Sequence, residues 1–298
     1  MTADIINYYL NNPMSNYQYM QIHLKDIPNK VIVEYFLLPL ADSSGYVYVE
    51  ISKGMYGLNE AGIIVYKRLV RNLQPHGFTS VEHTPGFWTQ ITVPITFTLS
   101  LNDFGINFFA ADDATHLLEA LRENYSITVN PYGSKYCSLT IKWNYPGNYV
   151  DIFMTNSVHK ALEYFQHPMT MRPQHSPHKW LARKYGAKEQ YSPNASIAPN
   201  LDKRGITIVQ SFSGTFLYIA RVVDPTMLVA LNKIGVKEAL PTTDTIQKTK
   251  MLMDYVDTQP DTVIQFHAID MCLHIDSDAA YLFQSKERSR TLCHYYLS

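Results

Sequence analysis

Only three cysteines occur, Cys137, Cys272 and Cys293, far apart and without C-x-x-C spacing. They build neither a disulfide framework nor a cysteine zinc site, so reduced thiols in a cytosolic or nuclear setting are expected. No apolar run approaches the ~20 residues that span a bilayer, and no membrane partner is expected. A secretory signal is also lacking, because the N-terminus has no basic start followed by an apolar stretch. An excess of positive charge is missing too. Lysine and arginine number 25 against 26 acidic residues, a formal net charge of −1, where free-standing nucleic-acid binders carry a basic excess. There are no internal repeats and no low-complexity tracts.

Apolar material is plentiful: 46% of the 298 residues are hydrophobic, enough for two compact units with real cores. The 22 tyrosines suit base stacking and ordinary sheet packing equally.

Along the chain, Thr2-Ala3-Asp4-Ile5-Ile6 reads as a strand that starts almost at Met1, as though cut from something longer. Residues 47–51 alternate as a short strand, and Lys53-Gly54-Met55-Tyr56-Gly57-Leu58 is a glycine-punctuated loop before a helical pattern over 60–73. Residues 96–109 predict a β-hairpin: Phe97, Leu99 and Leu101 on one face, Thr96, Thr98 and Ser100 on the other, and Asn102-Asp103 as its tip. Asp112 or Asp113 is expected to cap the next helix, with its Leu117, Leu118 and Leu121 stripe. A second hairpin turns at Pro146-Gly147-Asn148, and Asn156 or Ser157 is expected to cap the helix that follows. From 167 to 199 proline, histidine, serine and asparagine dominate, the composition of a linker. Helical periodicity returns over 206–234 and 243–256, and a strand pair over 263–267 and 271–275 leads to Asp276-Ser277-Asp278.

Three groups of residues could carry chemistry. Asp4 facing the Asn102-Asp103 tip would bring carboxylates from separate strands together, as two-metal phosphoryl transfer requires. On propensity alone Asn-Asp is simply a good turn dipeptide. Asp276 and Asp278 at a strand end are a second carboxylate cluster, equally readable as a solvated edge. His159, His167, His175 and His178 are the third, but Pro177 argues against a ligand-bearing helix and no cysteine lies nearby. The Gly54, Gly57 and Gly62 series matches no phosphate-loop pattern.

Taken in order, several segments resemble copia-type retrotransposon reverse transcriptases. Thr2-Ala3-Asp4-Ile5-Ile6 with Tyr9-Leu10 resembles their motif A. Tyr56-Gly57-Leu58-Asn59-Glu60-Ala61 resembles their Tyr-Gly-Leu-x-Gln-Ala signature, with Glu60 in place of Gln. Thr84-Pro85-Gly86-Phe87 and Leu101-Asn102-Asp103 are similar to the approach to motif C and to its Val-Asp-Asp core. Tyr164-Phe165-Gln166-His167-Pro168 and Arg172-Pro173-Gln174-His175 resemble the connection after the palm. Val223-Asp224-Pro225-Thr226-Met227 resembles the stretch before RNase H, and His274-Ile275-Asp276-Ser277-Asp278 its opening strand.

The resemblance implies an α+β fold: a reverse-transcriptase palm, an antiparallel sheet backed by helices, over 1–165. A connection over 166–200, a helical thumb over 201–260 and a truncated RNase H-like hairpin over 261–298 would follow. It implies Mg²⁺ held by Asp4, Asp103 and Asp278, with position 102 as the first motif C ligand. Gly57, Leu58 and Glu60 would contact the incoming nucleotide, and the partners would be an RNA or DNA template-primer and dNTP. Asn102 departs from the pattern. An amide oxygen is a poorer Mg²⁺ ligand than a carboxylate, so catalysis is expected to be lost or impaired. The fragment reading, with fingers missing before Asp4 and RNase H cut short, points the same way. The competing expectation is a non-enzymatic palm module that binds nucleic acid or protein.

Overall fold

The computed structural model describes residues 1–179, 198–284 and 288–298. The chain is α+β with antiparallel sheets, and it divides into two compact units, Met1–Cys137 and Ser138–Ser298.

The first unit contains strands β1 (Thr2–Ile5), β2 (Pro13–His23) and β3 (Tyr46–Lys53), with helix α1 (Asn29–Glu34) between β2 and β3. Helix α2 (Asn59–Leu73) follows, then β4 (Phe78–Ser80), β5 (Phe87–Gln90), β6 (Ile95–Ser100) and β7 (Asp103–Phe108). Helix α3 (Ala111–Arg122), β8 (Ile127–Asn130) and the short β9 (Lys135–Tyr136) complete it. Six strands pair antiparallel in the order β4-β5-β6-β7-β1-β8. Within that sheet, β1-α2-β6-β7-α3-β8 is a split β-α-β-β-α-β arrangement, which places β1 between β7 and β8.

Period-two alternation decides the faces. Ala3 and Ile5 of β1, Phe97 of β6, and Phe104 and Ile106 of β7 are buried in one core with Ala61, Val65, Leu69 and Leu73 of α2 and Leu117 and Leu121 of α3. The four-residue spacing along α2 keeps its apolar stripe on the sheet. Trp88 stacks on Phe97 at 5.6 Å and 8°, with Phe78 and Phe104 against the same ring. The alternate positions, Asp4, Thr98, Ser100, Asp103 and Gly105, therefore lie on the opposite face, away from both helices. The β2–β3 pair has a small core of its own, with Ile32, Leu37 and Val47 buried.

In the second unit, β10 (Leu139–Asn144), β11 (Tyr149–Phe153) and β12 (Val263–His267) pair antiparallel. Helices α4 (Thr155–Tyr164), α5 (Lys203–Val222), α6 (Leu228–Gly235) and α7 (Thr243–Thr258) share one core around Phe212 and Phe216. Strands β13 (Leu273–Gln284) and β14 (Arg288–Leu297) form a separate two-stranded ribbon. Among the described residues no helix is long and apolar enough to cross a membrane.

Several expectations are corrected. The first hairpin turns at Leu101-Asn102, not Asn102-Asp103: Asp103 is already in β7, opposite Ser100 and Asp4. Helix α3 starts after Ala110, and Asp113 reaches back from its first turn to accept from the Ala110 N–H at 2.9 Å. Neither Asn156 nor Ser157 caps α4, whose N-cap position is Met154. The helical pattern over 206–234 breaks at Asp224-Pro225, because proline brings no N–H to continue α5. Strand β12 pairs with β11, not with β13. Helix α4, grouped with the first segment by sequence, packs in the core of the second unit. The expected linker is described up to residue 179. There its Thr170 N–H donates to Asp257 and its Gln174 N–H to Thr258, both on α7, at 2.7 and 3.0 Å. Its residues 180–197 lie outside the described residues.

Candidate functional site: an acidic cluster on the sheet face away from the helices

Three of the residues singled out by sequence meet at the junction of β1 and the β6–β7 hairpin. Asp4 and Asp103 are direct cross-strand partners, an arrangement that sets side chains about 5 Å apart on one face. The turn between β6 and β7 locks onto β1: Ile5 N–H donates to the Asn102 carbonyl at 3.1 Å. Leu101 takes a left-handed φ of 56° to close that turn. The Asn102 side chain folds back, and its Nδ2 donates to the Asp4 carboxylate.

Both carboxyls are perturbed. Desolvation on burial, and after it the charge of Asp103, raise Asp4 above its ordinary value, while the Asn102 amide pulls it down. Burial also raises Asp103, and a hydrogen bond from the Cys137 thiol opposes that rise. Folded-state values above the unfolded ones mean that the folded chain holds these protons more tightly. That stabilising contribution is complete below the unfolded carboxylate value of 3.8 and is lost as pH rises through the raised values. An Asp103→Asn variant removes one acid and the mutual repulsion. Its thermal midpoint is expected to gain on the native chain as pH rises from below 3.8 to neutrality, and to show no such gain at the acid end. Differential scanning fluorimetry across that range checks the sign.

Around Asp103 lie residues that the sequence did not flag. Ser100 faces it across the hairpin. Cys137 hydrogen-bonds to both Ser100 and Asp103, and Tyr136 bonds to Thr98 and Cys137, with burial pushing its phenol up to about 12. Only the alternation of Thr96, Thr98 and Ser100 hinted at this polar face. Nothing local to Tyr136-Cys137 did.

The remaining candidates sit elsewhere. Gly57, at φ 94°, shapes the loop between β3 and α2. Leu58 is the N-cap residue of α2 and packs on the first core. Glu60, in the first turn of α2, accepts from Asn16 Nδ2 at 3.3 Å. That loop touches the segment after β1, where the Tyr9 and Tyr56 rings are 4.4 Å apart. Asp278 lies in the second unit on β13, exposed, facing Leu292 and capping the Ala279 N–H at 2.8 Å. Of the histidines, His167 Nε2 lies 3.1 Å from the Asp254 carboxylate and His178 Nδ1 3.1 Å from the Lys233 ammonium. Against desolvation, His159 and His167 both help to hold the Asp257 carboxyl below its ordinary value.

Among the described residues no group of three or more His, Cys, Asp and Glu side chains is placed to hold a metal ion. Asp4 and Asp103 bring two carboxylates to one face, and one or two carboxylates with several waters is the donor set Mg²⁺ takes. The Asn102 amide turns its N–H toward Asp4, and its neutral oxygen is a poorer Mg²⁺ ligand than a carboxylate. Comparison with known proteins brings no protein-family model that matches this chain and no curated protein that matches it.

Proposed function

We propose that this chain carries the palm of an RNA-directed DNA polymerase of the copia type, with its nucleotidyl-transfer site impaired at Asn102. One observation carries the reading: Asp4 of β1 and Asn102-Asp103 at the start of β7, assigned to motifs A and C by resemblance, meet at one point on the sheet face away from the helices. Fold alone would not suffice, since a split β-α-β-β-α-β sheet hosts many activities.

In this reading Asp4 and Asp103 would hold one Mg²⁺, and the ion would supply charge neutralisation to a transferring phosphoryl group. The Asn102 amide donates to the Asp4 carboxylate, leaving position 102 without the carboxylate that the resemblance implies there. By the resemblance, Gly57, Leu58 and Glu60 would contact the incoming nucleotide, from the loop that touches the segment after β1, and the polar sheet face would meet the template-primer. Asp278 is the matching RNase H carboxylate, and no chemistry is assigned to it.

Primer extension on an RNA template, with Mg²⁺ or Mn²⁺, tests the proposal. The native chain is expected to be silent and the Asn102→Asp variant to extend the primer. Extension by the native chain would show that residue 102 does not impair the site. Silence from both, with salt-dependent RNA binding, would favour a binding module instead.

A further inference from the structure

In the second unit the connector after α4 is strapped to α7 by polar contacts. The Thr170 and Gln174 N–H groups donate to Asp257 Oδ2 and Thr258 Oγ1 at 2.7 and 3.0 Å, and the Thr170 hydroxyl lies 3.4 Å from Asp254 Oδ1. Residues 254, 257 and 258 share one face of α7 by their spacing. Met169 and Met171, on either side of Thr170, are 85% and 95% exposed, so apolar burial does not fix the strap there.

One contact of the strap differs in kind. The His167 side chain, where the strap leaves α4, is 2% exposed, and its Nε2 lies 3.1 Å from Asp254 Oδ1. The two are at ion-pair distance but out of line, and this buried nitrogen makes no hydrogen bond among the described residues. A neutral N–H gains little from such geometry, because hydrogen bonds weaken steeply off axis. An ion pair depends on distance far more than on angle, and burial strengthens it. What the contact contributes is therefore set by whether the imidazole carries charge. Histidine is the side chain whose charge ordinarily changes between about pH 5 and 8.

We propose that His167 is a pH-operated latch: protonated, it pairs with Asp254 and closes the strap around Thr170 onto α7; neutral, it lets that strap open. The surrounding groups set the sign. Asp254 and Asp257 of α7 are the carboxylates there, and His159 of α4 acts on Asp257 as well. Desolvation works to raise Asp257, but the Thr170 N–H and hydroxyl, then His167 and His159, hold it below the ordinary 3.8. Its share of the closure is complete above 3.8 and is lost only as pH falls through the lowered value, below the histidine range. Farther along the strap, His178 Nδ1 lies 3.1 Å from Lys233 Nζ of α6, and protonating His178 sets two cations together. Acid thus loosens that end while it tightens the His167 end, so the latch is read at Thr170. It lies within the second unit and is independent of the cation site proposed for Asp4 and Asp103.

Amide hydrogen exchange of the ¹⁵N-labelled full chain tests it, expressed as protection factors so that the intrinsic pH dependence of exchange is removed. On going from about pH 8 to about pH 5.5, the Thr170 amide is expected to gain roughly tenfold in protection. His167→Gln and Asp254→Asn should each stay at the unlatched level throughout. The Phe212 and Phe216 amides of α5, both in the helical core, report that the unit is intact. Should His167→Gln disturb that core, Asp254→Asn alone decides, since it keeps the size and an oxygen acceptor at a partly exposed position. Protection in the native chain that stays flat, or falls, on acidification overturns the latch. A gain that persists in Asp254→Asn overturns it too, because another group is then titrating.

Discussion

Asn102→Asp is expected to lower the thermal midpoint of the metal-free chain and to make that midpoint climb with Mn²⁺. The reason is electrostatic. Asp4 and Asp103 already share one face with raised carboxyl values. The Asn102 amide is the donor that relieves Asp4. Exchanging it for a carboxylate removes that donor and adds a third negative charge, so without a cation the junction of β1 and β7 is weakened. With a cation the balance reverses, because hard dications prefer carboxylate oxygens. A ligand present at a hundredfold excess over its dissociation constant stabilises the folded state by about 2.7 kcal/mol, a shift of several degrees. The native chain should respond far less, since among the described residues Asp4 and Asp103 are the two carboxylates at the site. Melting curves in EDTA and in millimolar Mn²⁺, for both chains, give the comparison.

Phe97→Ala is expected to be the most damaging single truncation in the first unit. Phe97 is 1% exposed and touches Trp88, Phe78 and Phe104 through ring contacts of 5.3 to 5.8 Å. Truncating a fully buried aromatic costs about 3–5 kcal/mol in lost transfer energy and cavity. Domains are stable by only about 5–15 kcal/mol, so the unit is brought to the edge of unfolding. Phe97 also lies in β6, the strand that leads into the Asn102 turn, so the acidic cluster should loosen with it. Trp88 stacks on Phe97 and reports the change directly. Urea titrations of its fluorescence, with Trp143 and Trp180 replaced by phenylalanine, read the loss in the first unit alone.

Much of the first unit was legible because its signals are local. Alternation in Thr2-Ala3-Asp4-Ile5 and in residues 96–109 marked β1 and the β6–β7 hairpin, and the stripe over 60–73 marked α2. The turn was misplaced by one residue because Asn-Asp is the better turn dipeptide. What decides the register is the buried face: Phe104 must point at the helices, so Asp103 takes the first place of β7 on the other side. The left-handed residue is then Leu101, which propensity never suggests. Strand β2 was missed altogether, because it packs with β3 against a small core of Ile32, Leu37 and Val47.

The candidate site was half visible. Asp4, Asn102 and Asp103 were named in advance, but Cys137 joins them only through tertiary packing, from beyond α3 and β8. The pairing of β12 with β11 was hidden for the same reason, since the two strands are separated in sequence by four helices. A neighbouring hairpin partner is the default expectation for a strand, and here the long-range partner wins.

The impairment of the site turns on one contact, the Asn102 side-chain amide on Asp4. Nuclear magnetic resonance of the chain with ¹⁵N-labelled asparagine observes it directly, the Asn102 signal being assigned as the one lost in Asn102→Asp. One of its two amide protons should be shifted downfield and slow to exchange, and both features should collapse in Asp4→Ala. An ordinary Asn102 amide, with rapid exchange and no response to Asp4→Ala, would contradict the account.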